Sequence, residues 1–199
     1  LLDAHLLEVE KGNVEEMFGV RDFAELLHIH PTHLSNTIKH VTGRSPCDVF
    51  EERLEAAFDQ MLNIHFKGVY LLTKQSLPMM NDGGRIINIS SGTTRFCVPG
   101  YSLYASMKAG VEMFTKYLAK EIGARGMTAN VLAPGAIETD FNGAAIRNNP
   151  QMKGYLASQT ALGRVGEAND IGGIVAFLCS PEAGWINGQR IEASGGMFL

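Results

Sequence analysis

Tyr104 and Lys108 stand four residues apart in Tyr104-Ala-Ser-Met-Lys108. On a helix, that spacing puts a phenol and an ammonium on one face. A free phenol titrates near pH 10 and is a poor base at neutral pH, but a neighbouring cation favours its phenolate. Such a pair can move a proton to or from an oxygen atom. Ser91 lies 13 residues before Tyr104, just past the apolar run Arg85-Ile86-Ile87-Asn88-Ile89-Ser90. A hydroxyl at the carboxyl end of a strand is where open α/β sheets place ligands. Asn63 lies 28 residues before Ser91. Taken singly, these residues equally describe an exposed helical pair, a turn serine and a helix-surface amide.

The elements that must position them alternate. Phe58 to about Leu77 reads as a helix ended by Pro78, and Arg85–Ser90 as a buried strand after the turn Asp82-Gly83-Gly84. Leu103 to Ile122 reads as a long helix stopped by Gly123, Thr128–Leu132 as a second strand, Glu167–Cys179 as a helix and Gln189–Ala193 as a last strand. This order predicts an α/β fold with parallel strands joined by crossovers. Residues 1–56 differ in character. They carry 5 Lys and Arg against 11 Asp and Glu, and five of the six histidines. Arg21–Ile29 predicts a short helix broken by His30-Pro31. Thr32 then caps a second helix to Val41 with Gly43 as its stop, and Ser45-Pro46-Cys47-Asp48 opens a third. No proline lies between Asp48 and Leu77, so that third helix can run in phase into the one containing Asn63, giving about 30 residues of helix.

Composition narrows the class. The chain has 199 residues, 45% hydrophobic and 19% charged, which predicts an ordinary globular protein. No apolar stretch approaches the ~20 residues of a membrane helix, and no signal peptide is evident. Cys47, Cys97 and Cys179 lie far apart with no C-x-x-C, which argues against disulfides and zinc and for a reducing, cytoplasmic setting. No metal site is expected.

From about Phe58 to the C-terminus the sequence resembles the short-chain dehydrogenases/reductases. The run IINISSGTTRFCVPGYSLYASMKAGVEMFTKYLAKEIGARGMTANVLAPGAIETDF carries the likeness, with LNIHFKGVYLLT, GRVGEANDIGGIVAFLCS and INGQRIEASGG. The resemblance implies the C-terminal half of a Rossmann-like doubly wound sheet, with three strands built on Ile87, Val131 and Ile191. It implies hydride transfer between NAD or NADP and an alcohol or carbonyl substrate, with Asn63, Ser91, Tyr104 and Lys108 as the catalytic set. Tyr104 would be the general acid/base and Ser91 the hydrogen-bond donor to substrate. Lys108 would support Tyr104 and bind the nicotinamide ribose, while Asn63 would hold a water leading to solvent. Tyr104, Lys108, Pro134, Gly135, Ile137 and Thr139 would contact the cofactor. Residues 139–162 would form the substrate lid, and self-association would run through the helices containing Asn63 and Tyr104. Neither G-x-x-x-G-x-G nor G-x-G-x-x-G occurs in these 199 residues, so nothing here matches the family's pyrophosphate-binding turn, and activity by this chain is in question.

The earlier run FAELLHIHPTHLSNTIKHVTGRSPCDVFEERLEAA resembles the first helix-turn-helix unit of AraC-type regulators, through Ala24, Leu34-Ser35, Ile38-Lys39, Gly43-x-Ser45-Pro46 and Arg53-Leu54-x-Ala56. That likeness implies a domain division at residues 1–56 and 57–199, with His33, Ser35, Asn36 and Lys39 facing a DNA groove. The net charge of −6 over residues 1–56 opposes phosphate contact. Besides the oxidoreductase, a DNA-binding regulator fragment and an inert fusion therefore stand as alternatives.

Overall fold

The computed structural model describes residues 19–199. The part of the regulator-like segment before Gly19, including His5, lies outside the described residues. The chain falls into two units. One ends at Asn63 and takes in Val98–Leu103; the other is Ile64–Cys97 with Tyr104–Leu199.

The first unit is helical: α1 (Val20–Leu26), α2 (Pro31–Thr42) and α3 (Pro46–Leu62). Phe23 and Ala24 of α1 are buried, and the Phe23 ring stacks on Phe50 of α3 with centroids 5.6 Å apart. Helix α1 stops earlier than the sequence predicts. His28 adopts φ 56°, and the bonds Ile29 N–H to Ala24 O and His28 N–H to Glu25 O close the helix end before the proline can act. The α2 cap is His30 rather than Thr32, because Pro31 occupies the first helical position and the His30 Nδ1 accepts the Thr32 N–H at 3.2 Å. Gly43 ends α2 at φ 72° and Ser45 caps α3, both as the sequence predicts, and Asp48 returns the bond to the Ser45 N–H to make that cap reciprocal. No non-helical residue separates α3 from the next elements, a π turn at Asn63–Lys67 and α4 (Gly68–Ser76).

The second unit is built on three parallel strands, β1 (Arg85–Ile89), β2 (Thr128–Pro134) and β3 (Arg190–Ala193), in the order β1-β2-β3. Helix α5 (Ser102–Ile122) joins β1 to β2; α6 (Phe141–Asn148), α7 (Pro150–Ser158) and α8 (Ala168–Cys179) lie between β2 and β3. Strand β2 is buried along all but its last residue, as a central parallel strand must be. Leu118, Ala119 and Ile122 of α5 pack with Met127 and Ala129 at the start of β2. Asn88 of β1 also ties to α5, donating to the buried Thr115 hydroxyl at 2.8 Å. Arg125 clamps the approach to β1, reaching Asp82 at 2.7 Å and the Leu77 carbonyl at 3.0 Å.

The expected α/β class, three parallel strands and long helix all stand. The sequence reading leaves 139–162 without elements, whereas the structure forms α6 and α7 there. Asn149-Pro150 is a cap-and-first-turn signal, and the Asn149 side chain indeed accepts the Met152 N–H at 3.0 Å.

Asn130 is buried on β2, donating to Ile186 O at 2.7 Å and accepting the Gln189 N–H at 3.0 Å. Asn130→Ala strands both backbone groups and is expected to cost about 1–3 kcal/mol in urea unfolding. A loss below 0.5 kcal/mol would show that water replaces the amide.

Candidate active site

Lys108 is buried, and its Nζ donates to the carbonyl of Ile89, the last residue of β1, at 3.0 Å. Among the described residues no carboxylate pairs with this ammonium, and burial holds it below the usual lysine range. Tyr104 lies one turn earlier on α5, half-buried, with the ammonium 5.7 Å from its ring centroid. The helix thus presents the phenol and the cation together, as their spacing predicts.

Ser91 follows β1 by two residues. Its N-terminal neighbour Ser90 stays in the sheet by donating its N–H to Leu132 O at 2.8 Å. Ser91 then caps a 3-10 turn, Gly92–Thr94. Its Oγ accepts the Thr93 N–H at 3.2 Å and the Thr93 hydroxyl at 3.0 Å. A hydroxyl that accepts twice keeps its own hydrogen to donate. Gly92 is required by space: a Cβ there would come within 2.8 Å of the Phe96 ring.

A polar frame fixes this turn. Glu112, one turn past Lys108, accepts from Ser90 Oγ and Thr94 Oγ1, each at 2.6 Å, and from Arg190 Nε at 2.9 Å. Arg190 also donates to the Ser91 carbonyl at 3.2 Å and to Glu192 at 2.9 Å. Arg95 grips Glu192 through two bonds of 2.7 and 2.6 Å and reaches the Phe198 carbonyl at 3.2 Å. Arg95, Ser194 and Arg190 hold the Glu192 carboxyl down at about 2. Sequence reasoning does not find this frame, because its members are spread from residue 90 to residue 198.

The other expected residues are placed as follows. Gly135 leaves the end of β2 with its N–H on Ala193 O at 3.0 Å, and a Cβ at Gly135 would lie 2.8 Å from Ser194. Pro134 closes β2. Ile137 bridges to Gly166 and lines a cleft of about 200 Å³ with Arg164, Asp170 and Ser194. The Thr139 hydroxyl accepts the Phe141 N–H at 3.2 Å. Asn63 is exposed at the start of the π turn and belongs to the other unit. From this turn it is His65, two residues on, whose ring meets Tyr104, at 5.0 Å between centroids. His33, Asn36 and Lys39 are exposed on α2, and Ser35 is half-buried there. Among the described residues no cluster of metal-ligating side chains occurs, and no helix is long and apolar enough to cross a membrane.

A parallel sheet with a phenol and a buried ammonium set together beside the end of β1 defines a Rossmann-like α/β scaffold. The comparisons with known proteins name it. Residues 35–198 match the family described as Enoyl-(Acyl carrier protein) reductase. The chain is 35% identical to an NADPH-dependent aldehyde reductase-like chloroplast protein of Arabidopsis thaliana, over 94% of this chain and 68% of that one. It is 44% identical to the 3-oxoacyl-[acyl-carrier-protein] reductase of Haemophilus influenzae, over 73% of this chain and 59% of the relative. It superposes on an angucycline C-6 ketoreductase solved with bound NADP at a TM-score of 0.68, with 37% identity, over 72% of this chain and 55% of that one. The chain belongs to the short-chain dehydrogenase/reductase family, which uses NAD or NADP. It spans roughly three fifths of the length of these relatives. The family match begins at Ser35, inside the segment likened to AraC-type regulators. That likeness has no counterpart in these matches.

The Glu192 geometry sets a pH dependence. The folded carboxyl is depressed to about 2 from an ordinary value near 4.5, so the unfolded chain binds the proton first. The stabilisation is complete above pH 4.5 and is lost as pH falls toward 2. Arg95→Ala, by freeing Glu192, is expected to flatten that limb of a thermal-melt series. An unchanged acid limb in Arg95→Ala would remove Glu192 as its source.

Proposed function

We propose that this chain carries the catalytic part of an NAD(P)-dependent ketoreductase acting on a small-molecule carbonyl or its alcohol. The observation that carries this reading is the buried Lys108 ammonium, fixed at the end of β1 beside Tyr104 and without a carboxylate partner among the described residues. A desolvated cation whose one hydrogen bond among the described residues goes to a carbonyl keeps donors for a ligand, and so fits the hydroxyls of a nicotinamide ribose.

In this reading Tyr104, Lys108, Pro134, Gly135, Ile137 and Thr139 would hold the nicotinamide end of the cofactor. When bound, that group supplies the hydride that a carbonyl carbon accepts. Ser91 donates its free hydroxyl hydrogen to the carbonyl oxygen and polarises it. The Tyr104 hydroxyl gives its proton to the same oxygen as the alcohol forms, and the Lys108 charge supports the phenolate left behind. The oxidation of an alcohol runs through the same groups in reverse. Asn63, exposed at the π turn, would contribute through solvent water.

The lid over the substrate would be residues 139–162. Self-association through the faces of α4 and α5 belongs to the same proposal, supported by the exposed Leu72, Met113 and Tyr117. DNA reading by α2 gains no support from residues 1–56, whose acidic balance disfavours phosphate.

The test is NADPH titration followed by thermal melting. At 100 times its Kd a ligand specific for the folded state adds about 2.7 kcal/mol. The shift is expected to saturate in the native chain and to vanish in Lys108→Ala. Tyr104→Phe is expected to keep the shift and lower turnover of a ketone panel by about 10²–10⁴-fold. A cooperatively folded chain that NADPH and NADH leave unmoved would overturn the reading.

A further inference from the structure

The π turn at Asn63–Lys67 brings one ionisable side chain to the site that the mechanism above does not use. The ring of His65 stands perpendicular to that of Tyr104, with centroids 5.0 Å apart and planes at 86°. His65 is half-buried. Lys108 approaches the same phenol ring, its Nζ 5.7 Å from the centroid. Perpendicular aromatic contacts at this separation are attractive and orient both rings. A π turn accommodates an extra residue in the helical repeat, and such turns recur at functional sites.

We propose that His65 is a positioning residue for Tyr104 whose charge state opens and closes the ring contact. Neutral, it packs against the phenol; protonated, it places a second cation beside Lys108 and is driven away. The groups facing it are Tyr104 and Lys108 from α5, and the charged neighbour on its own turn is the exposed Lys67. Among the described residues no carboxylate offsets a charge on His65. Burial first, and the Lys108 charge second, hold its imidazole below the ordinary histidine value. The folded chain therefore resists protonation that the unfolded chain accepts. Stability falls as pH drops below about 6.5 and levels off beneath the folded midpoint. The inference rests on the ketoreductase reading for its consequence, acid loss of a correctly held Tyr104, and not for its test.

That test is a pH titration of the 199-residue chain by NMR, with signals assigned through His65→Phe and Tyr104→Phe. His65 is expected to titrate below 6.5, with the Tyr104 ring resonances moving at the same midpoint. Lys108→Met is expected to raise that midpoint. His65→Phe keeps a ring against Tyr104 and is expected to abolish the acid shift of its resonances. A His65 midpoint at or above 6.5, a Tyr104 ring silent through the His65 titration, or a midpoint unmoved in Lys108→Met each overturns the proposal. NADPH stabilisation supplies a second readout. Its affinity is expected to fall by up to about tenfold per pH unit below the His65 midpoint, the limit for one linked proton. His65→Phe is expected to remove that fall, and an identical fall in the variant overturns the proposal. No NADPH stabilisation at any pH counts against the ketoreductase reading alone, and the NMR titration still decides on His65.

Discussion

The bond from the Lys108 ammonium to the Ile89 carbonyl is the constraint around which the site is arranged. Removing an ammonium from water is costly, and a single carbonyl offsets only part of that cost. The lysine can stay buried only because α5 is held against β1 by contacts that do not involve it. Leu118 and Ile122 anchor the far end of the helix in the core, and Asn88 with Thr115 anchors its middle. With α5 so fixed, the Lys108 bond sets the register between helix and strand at one particular turn. Tyr104 is then a turn away on one side, and Ser91 two residues beyond the carbonyl on the other.

A second layer keeps Ser91 where that register puts it. The Ser91 carbonyl is held by Thr94 and Arg190, both of which converge on Glu112. These charges are mostly shielded, and each carboxylate has several donors. That arrangement differs from the surface pairs Arg44 with Glu52 and Arg147 with Asp140, whose partners are about half or more exposed. Exposed pairs of this kind contribute about 0–1 kcal/mol and position nothing. The shielded frame joins β1, α5, β3 and the C-terminal residues Met197 and Phe198, so that strand ends distant in sequence act as one rigid rim.

What was legible in the sequence follows from how local each signal is. Gly43, Ser45-Pro46 and Asp48 mark helix ends through bonds within four residues, and the structure makes those bonds. The β-branched runs of β1 and β2 and the Tyr104–Lys108 spacing are equally local. The stop at His28 was not legible, because histidine favours the left-handed region only weakly and the stronger local signal, His30-Pro31, lies two residues on. The role of His65 was hidden for a different reason. The family resemblance points attention to Asn63, and only the π turn, which depends on packing, brings the ring two places on against Tyr104. The Glu112–Arg190–Glu192–Arg95 frame joins residues up to 97 positions apart and has no local signature at all.

The same contrast separates the chemistry from whatever the chain would select as substrate. The groups proposed to handle the proton sit on a 21-residue helix and on the capped turn after β1, where Lys108 is buried and the Glu112 frame holds the turn. The segment that the family resemblance makes the lid is built differently. Helix α6 contains three consecutive left-handed residues, Asn142, Gly143 and Ala144, at φ 53°, 65° and 58°. For residues with a Cβ such a conformation costs roughly 1–2 kcal/mol each. Against that strain stand the Arg147–Asp140 pair, exposed to water, and the Lys153–Glu138 pair, partly so. Neither offsets much. A strained segment held by weak ties can rearrange at low cost when a ligand offers better contacts, while the rim beneath it cannot. The division follows from energetics: a reaction common to many substrates needs fixed groups, and a surface that must fit one of them needs a segment whose alternatives lie close in free energy.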